Sequence, residues 1–326
     1  MKLICVKNEE ADQRLDKLLA RYLKEAPKSF LYKMLRKKNI TLNGKKADGS
    51  EKVKAGDEIR IFLSDETYEK FAGKSAVSNR KYPTAKLQIL YEDEHILLVN
   101  KPAGMLTQKA KPSDVSLNEY LLGYLQQTGA WRDGEIAGIR PSVCNRLDRN
   151  TSGIVVCGKS LAGLQQMAAL LRDRSMHKYY QCLVSGQLGQ EQRIEGYLWK
   201  DEASNKVQIL REEREGALPI VTEYRPLKVF GDCTLLEVCL ITGRSHQIRA
   251  HLASTGHPII GDSKYGDRQT NDRYRKMYGL QSQLLHACRL ELPQMAEPLQ
   301  DLSGKIFTAE PPLLMREIIK SAEKET

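Results

Sequence analysis

The stretch Val143–Ser160, VCNRLDRNTSGIVVCGKS, decides how the rest of this chain is interpreted. It places one carboxylate, Asp148, between two arginines, then residues typical of turns, and then a continuous apolar run from Ile154 to Cys157. A short apolar run bounded by turn residues predicts a buried strand. We therefore predict that Asp148 lies on a loop that leads into a core strand. From this stretch alone, a structural ion pair and a reactive carboxylate are equally good interpretations.

Composition predicts a globular protein with an acidic partner. The chain has 326 residues, of which 41% are hydrophobic and 28% charged, enough for two domains with sizeable cores. Its net charge of +10 favours nucleic acid as the first candidate partner. No run of about 18 apolar residues is present, which predicts no membrane span. The apolar run at the N-terminus is too short for a signal peptide.

Cysteine usage argues against a zinc site and against a disulfide framework. The number of cysteines is odd, no CxxC pair occurs, and most of them lie in apolar runs, where cysteine behaves as a small buried hydrophobe. We therefore expect a protein of the reducing cytoplasm. The seven cysteines are Cys5, Cys144, Cys157, Cys182, Cys233, Cys239 and Cys288.

Residues 10–63 form a candidate small domain. Leucines at helical spacing begin it, Ser29 is a candidate N-cap for a second helix, and Asn43-Gly44 predicts a hairpin turn. Residues 1–63 contain 16 basic and 9 acidic residues, a net charge of +7. A basic helix is often only a solvated face, but this concentration favours a surface that contacts phosphates. The candidate contacts on the second helix and the hairpin are Lys33, Arg36, Lys37, Lys38, Lys45 and Lys46.

Residues 64–86 are polar, small and charged and lack apolar periodicity, so we predict a linker. Such a linker would let the small domain search an RNA while it stays tethered to the larger one. From residue 87 the hydrophobic pattern becomes that of short strands and amphipathic helices, which predicts a second domain over 87–326.

A second charged segment runs from Thr242 to Arg249, TGRSHQIR. Ser245 is a candidate N-cap, and His246 and Arg249 lie three apart on one face of the predicted helix. A lone histidine such as His246 is more often structural than catalytic, and the same holds for His286. The spacing of five between His246 and His251 is wrong for a metal site on one helical face.

Two resemblances to known families cover most of the chain. The N-terminal module is similar to the S-four-like RNA-binding fold in RLDKLLARYL, the basic second helix, ITLNGKKA and KAGDEIRI. Residues from about Leu87 to Pro312 resemble the RluA-type pseudouridine synthases, specifically the RluC/RluD-like branch. The matching motifs are ILYEDEHILLVNKPAG, NRLDRNTSG, KYY at Lys178–Tyr180, LITGRSHQIRAHLASTGHPIIGD and LLHACRLELP.

The second resemblance implies both a fold and a reaction. The fold is α+β: a catalytic domain with a mixed, largely antiparallel β-sheet flanked by helices and loops, behind a small α/β RNA-binding domain. The reaction detaches uracil from its ribose, rotates it and reattaches it through a ring carbon, with no cofactor and no metal. The implied partner is ribosomal RNA, that of the large subunit (23S), and we expect the protein to act as a monomer.

The resemblance also implies roles for individual residues. Asp148 matches the catalytic aspartate, Tyr180 the tyrosine that packs on the base, and Arg249 the cation that pairs with the aspartate. Arg146 matches the arginine that helps hold open the site of the flipped-out nucleotide. A carboxylate suits this chemistry, because breaking a glycosidic bond develops positive charge on the sugar. The family usually has histidine where this chain has Asn145, and we expect catalysis to survive this change.

Two other functions compete with this one. A non-catalytic RNA-binding or ribosome-assembly factor built on the same fold is disfavoured by the intact Asp148, Tyr180 and Arg249. A nucleoside hydrolase would need a second carboxylate or a metal to activate water. Only Asp262, in the Gly-Asp turn after the second charged segment, is a candidate for that carboxylate.

Overall fold

The computed structural model describes residues 1–7, 10–72, 80–132, 139–201 and 206–324. These residues divide into two compact units. The first comprises 1–85, 121–142 and 159–162, and the second comprises 86–120, 143–158 and 163–326.

The N-terminal unit packs helices on a small antiparallel sheet. Its helices are α1 (Leu15–Tyr22), α2 (Lys28–Arg36) and α3 (Asp65–Ala72), and its strands are β1 (Lys2–Cys5), β2 (Ile40–Leu42), β3 (Lys45–Lys46) and β4 (Glu58–Ile61). The strands pair in the order β1-β4-β2-β3. The leucines predicted to share a face of α1 are fully buried in the core of this unit, because their spacing puts them on one side of the helix.

Two local predictions fall in this unit, a hairpin turn and a helix cap, and only the first is confirmed. Asn43 and Gly44 both have positive φ, as the predicted two-residue hairpin between β2 and β3 requires. The predicted N-cap at Ser29 is wrong. Helix α2 begins one residue earlier, at Lys28, after Pro27, and has no side-chain cap.

The polar segment predicted as a linker contains regular structure. Residues 65–72 form α3, whose first turn is capped by Ser64 through a hydrogen bond from the Thr67 amide (3.2 Å). The Phe71 ring packs on Phe30 with ring centroids 4.3 Å apart. Two aromatic residues three apart, Tyr68 and Phe71, are enough to attach this helix to the core, although they are too few to show a periodic pattern.

The end of the predicted linker is also held in place. Gln126 accepts a hydrogen bond from the Tyr82 amide (3.1 Å) and donates one to the Arg80 carbonyl (2.7 Å). The central part, residues 73–79, lies outside the described residues. The predicted domain boundaries at 63/64 and 86/87 stay predictions.

The second unit is built on a large mixed sheet. Its strands are β5 (Gln88–Glu92), β6 (Ile96–Lys101), β7 (Ser142–Val143), β8 (Ser152–Gly158), β9 (His177–Ser185), β10 (Gln192–Asp201), β11 (Lys206–Leu210), β12 (Leu218–Val229), β13 (Cys233–Leu240), β14 (Leu285–Glu291) and β15 (Ile306–Thr308). The order is β11-β10-β12-β13-β9-β14-β8-β6-β5, with β15 beside β14 and β7 beside β8. Along this order β14 and β8 run parallel and the other neighbours run antiparallel, so the predicted mixed, largely antiparallel sheet is confirmed.

Helices complete the fold. They are α4 (Leu117–Gln127), α5 (Leu161–Asp173), α6 (Gln247–Ser254), α7 (Arg268–Tyr278) and α8 (Leu313–Lys324), with a 3₁₀ turn at Gln300–Leu302. Strand β8 lies between β6 and β14, and all seven of its residues are buried. The apolar run Ile154–Cys157 is therefore the predicted core strand.

The entry to β8 is tied closely to β14. Gly153 has φ +114°, and a Cβ at this position would lie 2.3 Å from the Ala287 carbonyl oxygen, so only glycine fits. The next-door Ser152 hydroxyl lies 2.9 Å from His286 Nδ1, and the other ring nitrogen of His286 lies 3.0 Å from the Ala309 carbonyl. These contacts fix the end of the loop that carries Asp148.

Candidate active site

The loop between β7 and β8 carries Asp148, and backbone contacts hold it on both sides of that residue. Thr107 Oγ1 donates to the Leu147 carbonyl (2.8 Å) and accepts from the Leu147 amide (3.2 Å). The Arg149 carbonyl accepts from the Gly104 amide (2.9 Å), and the Thr151 amide donates to the Asp148 carbonyl (3.1 Å). The Asp148 carboxylate is thus presented from a rigid backbone.

Lys101 forms a second anchor for this loop. The side chain is fully buried, and its ammonium donates to three carbonyls, those of Pro102 (3.0 Å), Met105 (2.9 Å) and Arg149 (3.1 Å). An ammonium has three donors, so every one is satisfied. Burial lowers the pKa of Lys101 to about 8, while the charge of Asp148 acts in the opposite direction. Lys101 was not among the predicted site residues. The sequence feature that could have indicated it is a cation at the end of an apolar strand.

Asn145, the departure from the family pattern, extends the pairing of β8. Its side-chain oxygen accepts from the Val156 amide (2.7 Å), and its amide nitrogen lies 3.4 Å from the Ile154 carbonyl. Beside it, the Cys144 amide donates to the Val156 carbonyl (2.7 Å). Asn145 therefore performs a structural task that needs no titratable group.

Arg249 joins two carboxylates that are far apart in the sequence. Its Nη1 donates to Asp148 Oδ2 (2.7 Å), while Nε and Nη2 form a two-pronged contact with Asp262 at 2.7 and 2.9 Å. Asp262 is fully buried and also accepts from the Lys264 and Tyr265 amides. The arginine is therefore oriented by Asp262 and offers Asp148 one of its three remaining N–H groups.

The charges of Asp148, Arg249 and Asp262, which together form an Asp-Arg-Asp triad, stabilise one another. Burial alone would raise the pKa of Asp262, but the hydrogen bonds and charge of Arg249 lower it below its usual value. Burial opposes the charge of Arg249, yet both carboxylates together raise its pKa. The guanidinium and Asp262 are therefore both ionised, and the side chain of Asp148 stays 26% exposed beside them.

Tyr180 lies on β9, and 6% of its surface is exposed. Burial, followed by the charge of Asp148, raises the pKa of its phenol well above the usual value. The phenol is therefore neutral at pH 7 and is suited to donating a hydrogen bond or to contacting a base with its ring, and unsuited to acting as a strong base.

His246 is closer to Asp148 than the sequence suggested. Its Nε2 lies 3.9 Å from Asp148 Oδ2, and its Nδ1 lies 2.9 Å from the hydroxyl of Tyr265. Burial and the nearby cations Arg249 and Lys264 lower the pKa of His246 against the opposing charge of Asp148. The predicted N-cap at Ser245 is wrong, because His246 itself occupies the N-cap position with φ +57° and α6 begins at Gln247.

A buried polar network fixes the segment before α6. The Gln247 side chain accepts from the Thr242 hydroxyl (2.8 Å) and the Arg244 amide (3.1 Å), and donates to the Val221 carbonyl (3.0 Å). It also donates to the Thr222 hydroxyl (3.0 Å), which in turn lies 2.9 Å from His251 Nδ1. The start of α6, and with it Arg249, is thereby attached to β12.

His251 predicts a pH dependence of stability. Burial lowers its pKa from the ordinary 6.5 to about 4. Between these two pKa values the unfolded chain binds a proton at His251, whereas the folded chain does not. The free energy of unfolding therefore falls as pH decreases from about 6.5 towards 4. We expect the titration of this histidine to lower the free energy of unfolding by about 2 kcal/mol between pH 7 and pH 5. Urea unfolding at both pH values would measure it.

The H251Q variant supplies the comparison for this prediction. Glutamine does not titrate, so the variant should lose less stability than the wild-type protein over the same pH interval. His286, whose pKa burial also lowers, remains in both proteins and contributes equally. Equal losses in the two proteins would show that His251 is not responsible.

The predicted catalytic residues line one cavity of about 950 Å³ in the second unit. Asp148, Tyr180, Arg249 and Arg146 all contribute to its wall, and Arg146 is exposed there. The six basic residues predicted to contact RNA lie instead on α2, just after it, and on β3 of the N-terminal unit. All six are exposed, and none forms an ion pair within the described part of the chain: Lys33, Arg36, Lys37, Lys38, Lys45 and Lys46.

Both parts of the chain are similar to known proteins. Residues 95–254 match the family model described as RNA pseudouridylate synthase, and residues 13–59 match the one described as S4 domain. The ribosomal large subunit pseudouridine synthase C of Vibrio vulnificus is 31% identical over 310 residues, which cover 92% of this chain and 91% of that protein. The chain belongs to the RNA pseudouridylate synthase family. The predicted family and enzyme class, an RNA pseudouridine synthase, are confirmed.

Further relatives of the synthase agree. The Escherichia coli protein of the same name is 31% identical over 325 residues, covering 96% of this chain and 93% of that protein. The solved structure of human RNA pseudouridylate synthase domain containing 4 has a TM-score of 0.57 at 22% identity and covers 72% of this chain and 93% of its own. Human RNA pseudouridylate synthase domain containing 1 has a TM-score of 0.51 at 21% identity, covering 74% and 97%. These two structures support the fold.

Two features are absent from the described residues of the synthase. These residues contain no group of three or more histidine, cysteine or acidic side chains arranged to hold a metal ion. They also contain no helix long and apolar enough to cross a membrane.

Proposed function

We propose that this synthase isomerises uridines of large-subunit (23S) ribosomal RNA, with Asp148 as the reacting carboxylate, as a monomer in the cytoplasm and without a cofactor. The observation that carries the proposal is the contact between Asp148 and Arg249 inside a cavity lined by basic residues. The names of the bacterial relatives support the large ribosomal subunit as the source of the RNA.

The geometry supports a distinct role for each residue. The Asp148 carboxylate stabilises the positive charge that develops on the ribose as the bond to uracil breaks. Arg249, oriented by Asp262, keeps that carboxylate in place through a single N–H and leaves its other oxygen, Oδ1, for the substrate. A bound nucleotide excludes water, and a fixed cation then offsets the cost of burying the carboxylate.

The target uridine must leave its stack to reach this cavity, which costs a few kcal/mol. Arg146, exposed at the cavity wall, is placed to occupy space or bind phosphate where the nucleotide leaves the helix. Tyr180 contacts the base, and a base–aromatic contact recovers about 1–3 kcal/mol.

The direct test is pseudouridine mapping on purified components. An unmodified large-subunit rRNA transcript is incubated with the wild-type protein and sequenced for pseudouridine, with a small-subunit rRNA transcript as the comparison. We expect discrete sites in the first RNA alone. Modification of neither RNA, or of the small-subunit RNA alone, would contradict the proposal. Activity of the wild-type protein would also show that catalysis is compatible with asparagine at position 145.

The basic surface of the N-terminal unit predicts a change in salt dependence. Replacing Lys33, Lys37 and Lys45 with glutamine removes three exposed charges while leaving the buried core unchanged. If all three bind phosphates, the slope of log affinity against log salt should decrease by about 2–3. RNA binding at several salt concentrations measures this slope.

A matched variant carries three lysine-to-glutamine changes at exposed positions elsewhere, Lys276, Lys320 and Lys324. It has the same net charge as the first variant. Equal slopes in the two variants would show that the N-terminal surface makes no specific contribution to RNA binding.

A further inference from the structure

The turn between α5 and β9 contains an unusual residue. Arg174 follows the last residue of α5 and has φ +67°, in the left-handed region. Glycine is the usual residue at this position after a helix, and an L side chain there costs about 1 kcal/mol. The Arg174 side chain is exposed and lines the cavity that holds Asp148. A strained residue with an exposed charge at a cavity wall suggests that the side chain is used.

Two further cations approach Arg174 from other elements. Lys178 lies on β9, four residues further along the chain, and Arg244 lies on the loop between β13 and α6. The Lys178 ammonium lies 3.8 Å from the place that a Cβ on Gly243 would occupy, beside Arg244. Burial lowers the pKa of Lys178, and the charge of Arg174 lowers it further against an opposing contribution from Cys239. Arg174 and Lys178 are therefore close enough to affect one another, and Arg244 lines the same cavity from the neighbouring loop.

No carboxylate neutralises this cluster within the described part of the chain. None of the three side chains forms an ion pair with an acidic residue there, and Asp148, which lines the same cavity, is already bound by Arg249. The neighbouring Asp173 accepts hydrogen bonds from the Ser175 amide (3.0 Å) and hydroxyl (2.6 Å), which shape the turn that displays Arg174. Like charges held together without a counter-charge are stabilised when an anion binds.

We propose that Arg174, Lys178 and Arg244 bind the phosphodiester backbone of the RNA strand next to the target nucleotide. The inference rests on the proposed function and adds a second RNA-binding surface, on the catalytic unit itself. The three cations come from two separate segments, residues 174–178 and the loop with Arg244, and two of them are exposed, which suits an extended strand better than a single small anion. None of them was predicted to bind RNA from the sequence motifs.

The substitution R174G separates a functional role from a structural one. Glycine relieves the left-handed strain, so the melting temperature should be equal to or above that of the wild-type protein. Removing the cation should weaken binding of a single-stranded RNA oligonucleotide containing the mapped site about fivefold at low salt and reduce the salt slope by about 1. K178M and R244Q should reduce affinity and slope in the same way. Binding is measured in an Asp148→Asn background, so that the RNA is not converted.

Several outcomes would overturn this inference. Unchanged affinity and slope in all three variants would do so, as would losses no larger than those of R316Q, an exposed arginine on α8 away from the cavity. Inorganic phosphate serves as a second probe. If the wild-type protein binds it as tightly as the oligonucleotide, the cluster is a small-anion site and the RNA assignment is wrong. A wild-type protein that binds RNA through this cluster but modifies no uridine would instead contradict the proposed function.

Discussion

Replacing Asp148 with asparagine should lower the rate of pseudouridine formation by about 10⁴-fold or more, with RNA affinity unchanged within about threefold. Asparagine has the same shape, and its carbonyl can accept the 2.7 Å hydrogen bond from Arg249. It carries no negative charge, so it neither stabilises positive charge on the ribose nor reacts as a nucleophile. The loop should keep its position, because Thr107, Lys101 and Gly104 hold it through the backbone.

Single-turnover conversion of the rRNA transcript measures the rate, and filter binding measures the affinity. D272N, which changes a half-buried carboxylate on α7, is the control and should keep full activity. Substantial conversion by the Asp148→Asn protein would contradict the assignment. Conversion by the wild-type protein in the same measurement would exclude the non-catalytic alternative, which requires that protein to bind RNA without converting it.

We expect the second large effect from substitution of Asp262, a residue that the sequence motifs indicated only as part of a turn. Replacing it with asparagine leaves the Arg249 guanidinium, whose side chain is 8% exposed, without its two-pronged partner. Removing one member of a buried ion pair typically costs about 3–5 kcal/mol. We expect the free energy of unfolding to fall by this amount in urea titrations. Activity should also fall, because the arginine that contacts Asp148 loses its orientation.

A double variant distinguishes stability from catalysis in this triad. Replacing Arg249 with methionine and Asp262 with asparagine together removes both buried charges, and the asparagine oxygen can still accept from the Lys264 and Tyr265 amides. Such replacements are often neutral for stability, so the double variant should be more stable than Asp262→Asn. It should nevertheless be inactive, because Asp148 has lost its cation. Recovery of activity together with stability would show that Arg249 serves folding alone.

Some features followed from local sequence because their causes are local. The apolar run Ile154–Cys157 specified a core strand, the leucine spacing of α1 specified its buried face, and Asn43-Gly44 specified a hairpin. The two capping assignments failed because Pro27 and His246, and not the neighbouring serines, occupy the N-cap positions and decide where each helix begins. Helix α3, within the predicted linker, was not indicated by local sequence because two aromatic residues do not make a period.

The sequence by itself determined the family, the fold class and the basic character of the N-terminal unit, since motifs and charge are properties of the chain. The motifs also nominated Asp148, Tyr180 and Arg249. Only the tertiary structure decided how the Asp148 carboxylate is held. Its contact with Arg249 spans 101 residues, and Lys101 reaches Arg149 across 48. Such contacts depend on the pairing of distant strands and on burial, which raises the energetic importance of each charge by removing water.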